Sequence, residues 1–212
     1  AVAATGKTAA VLRLIVESRA EPLPPPPDGN RYASGASLVV LPLNLVAQWA
    51  AEMRKFYADG AVRVVWLVQA RDLRDASMAD LLSADVVVTT FHFLRSCRAY
   101  VERAEAALGG RPRGRAALSA WARQPNHREP LLEAVRWRRV VVDEIHETFE
   151  AARDLRALRL LTPRVLWGLT ATPTLHATEA AQHLYVLLCR EKPHHPNLLA
   201  ALIAAAVRAH AL

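Results

Sequence analysis

The stretch VVVDEIHE, Val140 to Glu147, decides the fold. Three apolar β-branched residues run directly into two adjacent carboxylates. A strand that is apolar at successive positions is buried on both faces, as strands of a covered parallel sheet are. Its end in Asp143-Glu144 places charge at a carboxyl edge, where ligands bind in open α/β sheets. If 139–144 is extended, alternation points the two carboxylates to different sides and gives them separate tasks. Asp143 can hold Mg²⁺, directly or through water, and Glu144 can orient or deprotonate an attacking water. Phosphoryl transfer needs both functions. The competing reading is that Asp143 caps the following turn.

Working outward, four further apolar runs read as strands: SLVVLP (37–42), VRVVWLV (62–68), DVVVTT (85–90) and RVLWGLTAT (164–172). Helical spacing separates them. Val11, Leu12 and Ile15 make a stripe after Thr8, and EPLPPPPDGN (21–30) stops that helix, because four prolines cannot continue one. Asn44 is placed to cap a helix whose apolar positions are Leu45, Val46, Trp49, Met53 and Phe56. Helices are also predicted near 71–82, over most of 91–135, at 149–161 and from 179 onward. Trp49, Trp66 and Trp167 fall on element faces and are predicted to be core. The alternation gives an α/β fold with a mostly parallel sheet covered on both faces.

Two other segments carry chemistry. TGKT (Thr5–Thr8) precedes the first helix. A lysine there supplies a point charge to β- and γ-phosphates, a threonine hydroxyl reaches Mg²⁺, and first-turn amides cradle phosphate oxygens. Alone the tetrapeptide is weak. With an apolar strand ending in Asp-Glu later in the chain, both halves of a metal–triphosphate site are present. In LTATP (169–173), Thr170 and Thr172 flank Ala171 and can bridge the γ-phosphate end of such a site to a nucleic-acid surface. A hydroxyl-capped turn before Pro173 is the competing reading.

The 212 residues are 52% hydrophobic and 22% charged, a globular composition able to bury a substantial core. The net charge is +7. Residues 95–139 hold eleven Arg and four Glu, which is +7, so the remainder is close to neutral. Such a segment, with its GGRPRGR loop (109–115), suits a polyanion, but basicity does not separate nucleic acid from a membrane surface or from solubility. Cys97 and Cys189 are too few for a disulfide framework or a zinc site. His194-His195 form no recognisable ligand spacing with their neighbours. No apolar run reaches the ~18 residues that span a bilayer, so neither a membrane nor a zinc partner is expected in this segment.

The segments TGKT, LVVLPLNLVAQWAAEMRKF, DVVVTTFHFL, WRRVVVDEIHE and LWGLTATPT stand in the order of motifs I, Ia, Ib, II and III of superfamily 2 helicases, and the chain resembles the Swi/Snf-type DNA-dependent ATPases most. That resemblance rests on the Pro42–Glu52 segment, on Trp137 before the acidic strand, and on RVLWGLTATP. It implies a three-layer RecA-like P-loop NTPase lobe over about 1–190, with its first strand truncated and a basic insertion at about 99–135. Residues 191–212 are then a helical segment leading toward a second lobe. The cofactors implied are ATP and Mg²⁺: Thr5, Gly6, Lys7 and Thr8 bind nucleotide, Thr8 and Asp143 serve the metal, and Glu144 serves the water. His146 with Thr170, Ala171 and Thr172 couples hydrolysis to movement on DNA. Pro42, Asn44, Thr89 and Thr90 match segments that touch the nucleic-acid backbone, which positions a strand without reading its sequence. Duplex DNA is the partner implied, with remodelling or repair as the setting and the nucleus as the location in a eukaryote, the cytoplasm otherwise.

Three features depart from the pattern. Ala4 stands where the family has glycine, and a methyl there hinders a tight turn. Thr-Ala-Thr replaces the more frequent Thr-Gly-Thr. The second lobe, which closes the ATP cleft, does not follow within these residues, so this segment alone is expected to hydrolyse ATP poorly. Two alternatives stay open at this point: a non-catalytic nucleic-acid-binding scaffold on a decayed lobe, and an RNA helicase.

Overall fold

The computed structural model describes residues 6–19, 22–23, 32–57, 60–96, 131–146, 157–158 and 161–170. Five strands form one sheet: β1 (Tyr32–Leu41), β2 (Val64–Leu67), β3 (Val86–Thr90), β4 (Val135–Val142) and β5 (Thr162–Gly168). Their order is β2-β3-β1-β4-β5, and every pairing is parallel. The unalternated apolar runs explain this. Leu38 and Val40 of β1, Val87 of β3 and Val140 and Val142 of β4 enter one core. Their neighbours Val39, Leu41, Val86, Val88 and Val141 enter a second core on the other face.

Helices α1 (Lys7–Ser18) and α2 (Val46–Phe56) cover the second face, through Val11, Leu12, Ile15, Trp49 and Met53. The Tyr57 hydroxyl donates to the Leu12 carbonyl at 2.7 Å and ties the end of α2 to α1. Helices α3 (Met78–Ser83) and α4 (Phe91–Ser96) supply Leu81, Phe91, Phe93 and Leu94 to the first face. The result is the expected three-layer α/β arrangement.

The structure changes several boundaries. β1 starts five residues before the predicted 37, because the small polar run Ser34–Ser37 pairs with β4 across a register shift. The buried Ser34 hydroxyl accepts from the Ala36 N–H at 3.1 Å, so the strand tolerates it. The predicted helix at 71–82 is two pieces, a 3₁₀ turn Ala70–Arg74 and α3. Each starts with its own capping box, Gln69 with Asp72 and Ser77 with Asp80, so the second box ends the first element. The Ser77 hydrogen bonds hold the Asp80 carboxyl below its ordinary pKa. Asn44 does not cap α2: it is exposed in a 3₁₀ turn Leu43–Leu45, and Leu45 takes the cap position. Phe56 is exposed rather than core, and Trp167 is 37% exposed with the Arg139 guanidinium 5.4 Å from its ring centroid.

The amino end of β4 is unusually polar for a core strand. Arg138 and Arg139 are buried. Arg138 donates to the Gly35 carbonyl, and Arg139 to the Ser37 and Ser18 hydroxyls at 3.1 and 3.2 Å. Two of the eleven arginines in the basic stretch therefore serve the fold instead of facing a polyanion. Glu133, just before β4, is also buried, and its Oε2 has no hydrogen-bond partner. Desolvation pushes its carboxyl up to about 7.

Residues 1–5, with the implied truncated strand, Ala4 and Thr5, lie outside the described residues. So do 97–130, 147–156 and 171–212, which hold most of the basic insertion, both cysteines, Ala171, Thr172, the two adjacent histidines and the 191–212 segment. Among the described residues no helix is long and apolar enough to cross a membrane.

Candidate nucleotide site

Parallel pairing brings the carboxyl ends of β1, β3, β4 and β5 to one edge of the sheet, and the sequence motifs arrive there with them. Leu41 is in register with Thr90, Val40 with Val142, and Val142 with Gly168. Backbone bonds extend the edge past the strands. The Asp143 N–H donates to the Val40 carbonyl at 2.9 Å, Leu169 to Val142 at 2.8 Å, and Ile145 to Leu169 at 2.9 Å.

The two carboxylates do not belong to β4, as the sequence reading had it. They lie in the turn after it, where Glu144 has φ 48°, in the left-handed region that non-glycine residues rarely adopt. This turn, rather than strand alternation, sends the pair apart. Asp143 stays buried, its Oδ1 accepting from the Glu144 N–H at 3.0 Å and its Oδ2 from the Trp49 indole at 2.8 Å. Glu144 faces the other way, toward Lys7, whose Nζ lies 3.8 Å from its Oε1.

Lys7 opens α1. Gly6 before it has φ 69°, a conformation that glycine adopts without steric penalty, and a side chain added there would meet nothing within 4 Å. The requirement at Gly6 is therefore conformational rather than spatial. The first helical bond runs from the Ala10 N–H to the Gly6 carbonyl. The amides before Ala10 have no intrahelical acceptor and carry the positive end of the helix dipole. Thr8 is half-buried at the second helical position.

His146 closes the site. Its Nδ1 lies 2.8 Å from the Thr170 hydroxyl, joining the β4 turn to the segment after β5. Glu144 Oε2 is 3.3 Å from the same nitrogen but outside hydrogen-bonding geometry, and that buried oxygen has no hydrogen-bond partner. An unsatisfied acceptor beside a lysine and a histidine is the chemistry that would receive a water proton.

A divalent metal fits these residues in part. Among the described residues no group of three or more His, Cys, Asp or Glu gathers as a metal site. Asp143 has one donor on each oxygen, which leaves a lone pair on each for a metal or its waters. That donor set suits Mg²⁺, which takes one or two carboxylates and completes its shell with water and phosphate oxygens.

The expected nucleic-acid contacts divide. Asn44 and Leu43 are exposed beside the site, whereas Pro42 is buried. Thr89 and Thr90 are completely buried. Thr89 donates to the Leu67 carbonyl at 2.8 Å; Thr90 donates to Val68 and accepts from the Phe93 N–H. Their hydroxyls build the strand end and the start of α4, and in this arrangement offer nothing to a phosphate. Trp49 is the residue that sequence reasoning missed: it was assigned to the core for its apolar ring, and it is core, but its N–H reaches the acidic turn.

Comparison with known proteins bears on the family and the fold. The SNF2-related domain family matches residues 3–194. The chain is 29% identical over 158 residues to DNA repair protein RAD5A of Arabidopsis thaliana, covering 73% of this chain and 12% of that protein. It is 30% identical over 145 residues to DNA repair protein RAD5 of Mycosarcoma maydis, covering 66% and 9%. An F-box protein of Arabidopsis thaliana matches at 29% over 146 residues, covering 68% and 9%. The chain thus spans about a tenth of the length of these relatives. Its fold is similar to that of the Sulfolobus solfataricus SWI2/SNF2 ATPase core in complex with dsDNA, with a TM-score of 0.54 and 17% identity, covering 86% of this chain and 29% of the other.

Proposed function

Because the chain belongs to the SNF2-related domain family, we propose that it is the ATP-binding lobe of a helicase-like enzyme that uses ATP hydrolysis to move on duplex DNA, in repair or remodelling. The observation that carries this reading is the run of contacts from Lys7 to Glu144, from Glu144 to His146 and from His146 to Thr170, at the turn that also holds the buried Asp143. In it, Gly6, Lys7 and Thr8, with Thr5 before them, take the phosphates. Thr8 and Asp143 hold Mg²⁺, which supplies charge neutralisation at the transferring phosphoryl group. Glu144 accepts the proton of the attacking water. His146 and Thr170, with Ala171 and Thr172 beyond, pass the state of the site to the DNA-contacting surface. The exposed Leu43–Asn44 turn is the described part of that surface, and Pro42, Thr89 and Thr90 shape the edge beneath it. Relatives that are DNA repair proteins and a structural neighbour holding dsDNA favour DNA over RNA as the partner. In a eukaryotic cell such a protein works in the nucleus. A second lobe in the parent protein would complete the cleft.

The test uses the full-length protein. A fluorescent ATP analogue should bind with Mg²⁺, and Lys7→Ala should weaken that binding at least about tenfold, as loss of one charge-assisted phosphate contact does. Turnover should rise when duplex DNA is added and not when RNA is. Binding indifferent to Lys7→Ala would remove the nucleotide assignment; turnover indifferent to duplex DNA would remove the translocase reading.

A further inference from the structure

We propose that Trp49 is a positioning residue for the metal-holding carboxylate: its indole N–H fixes Asp143 in the orientation that Mg²⁺ requires. The inference rests on the nucleotide-site reading above.

A buried indole needs an acceptor for its single N–H. Among the described residues the other fully buried tryptophan, Trp137, finds one locally, the backbone carbonyl of Leu132 at 3.0 Å. Trp49 reaches instead across 94 positions of sequence to a side chain, Asp143 Oδ2, at 2.8 Å. Both partners are buried, Trp49 at 1% and Asp143 at 5% exposure. The ring is held among the apolar residues of the second core, with Met53, Val39, Leu41 and Val141 in the same cluster. It is therefore a rigid donor, unlike a lysine or a water.

The second oxygen of Asp143 is fixed from the opposite direction by the Glu144 N–H at 3.0 Å. Two donors on two oxygens set both the position and the plane of the carboxylate. Each oxygen keeps a lone pair, so the restraint orients the group without consuming it. Partners of this kind typically change metal affinity by about 10- to 100-fold when removed. Helix α2, which carries Trp49, begins directly after the exposed turn Leu43–Leu45. The same hydrogen bond thus connects that turn to the acidic residue through one helix.

Trp49→Phe keeps an aromatic ring and removes the donor. In the full-length protein, the readout is the Mg²⁺ concentration for half-maximal binding of a fluorescent ATP analogue. The expected result is a rise of about tenfold or more, with metal-free analogue binding unchanged. Loss of packing alone would lower the melting temperature without moving the Mg²⁺ midpoint. A midpoint within twofold of the unaltered protein overturns the proposal. If the unaltered protein binds the analogue without regard to Mg²⁺, the metal-site reading itself falls, and this proposal with it. Should Trp49→Phe melt below the assay temperature, the unaltered protein carries the test. Its Trp49 indole ¹⁵N–H resonance should shift when Mg²⁺ joins the bound analogue, and a resonance that ignores Mg²⁺ overturns the assignment.

Discussion

Strand β4 has a buried carboxyl group at each end, and the surroundings of the two are opposite. At the carboxyl end, Asp143 has a donor on each oxygen, and the next residue, Glu144, stands beside Lys7 and His146. At the amino end, Glu133 is buried between Leu132 and Ala134, one oxygen has no partner, and its pKa is pushed up to about 7. Burial by itself does not make an acidic residue functional. At the first end two donors, the Trp49 indole and the Glu144 N–H, converge on the group. At the second, desolvation dominates, and the residue favours its neutral form. The contrast separates a carboxylate the fold supports from one the fold merely encloses.

The sharpest way to break this contrast is Glu144→Gln. It preserves shape while removing the proton acceptor at the supported end. ATP turnover by the full-length protein should fall by about 10²- to 10⁴-fold, with analogue binding retained. A fall of less than threefold would show that the water is served by another group.

The amino end should respond in stability rather than turnover. With a folded-state pKa near 7 against an ordinary 4.5, the folded state holds the Glu133 proton more tightly than the unfolded chain does. Stability from this group is therefore full below about pH 4.5 and is lost as pH rises to about 7. The difference is about 3 kcal/mol. Glu133→Gln should flatten that slope in denaturant titrations across pH 5 to 8 and leave ATP turnover unchanged. A slope equal to that of the unaltered protein would mean that the carboxyl finds a partner in solution.

A smaller effect is expected beside the supported end. A Cβ at Gly168 would lie 2.5 Å from Ile145 Cδ1 and 3.1 Å from its Cγ2. Gly168→Ala should destabilise by about 1–3 kcal/mol through overpacking. Ile145→Val, which removes the Cδ1, should restore part of that loss. No recovery in the double variant would place the strain elsewhere than in the side-chain contact.

Much of this could be read from residues alone. The unalternated runs Val39–Leu41, Val86–Val88 and Val140–Val142 specify a parallel sheet buried on both sides, and Asp143-Glu144, directly after the last of them, falls at its carboxyl edge. The acidic turn was harder, because apolar residues running into Asp-Glu look the same whether the pair ends a strand or begins a turn. Only the left-handed Glu144 distinguishes them, and no side-chain pattern announces it. Ser34–Ser37 reads as loop by composition and becomes strand because partners on β4 and α3 satisfy its hydroxyls: Arg139 donates to Ser37, and Ser34 donates to the Leu81 carbonyl. The break after Arg74 was available in principle, since Gln69…Asp72 and Ser77…Asp80 are each a capping box spaced for its own start. The hydroxyls of Thr89 and Thr90 and the indole of Trp49 depend on neighbours far away in sequence, which spacing along one element does not reveal.

The backbone at Glu144 also sets two kinds of selection against each other. Its φ of 48° is one that glycine or asparagine adopts more readily than a long acidic side chain. A library of variants chosen only for thermal resistance should drift at this position toward Gly or Asn and grow sturdier as it does. A library chosen for nucleotide turnover should keep Glu. Position 144 is where a breeder of this protein would have to decide which trait to keep.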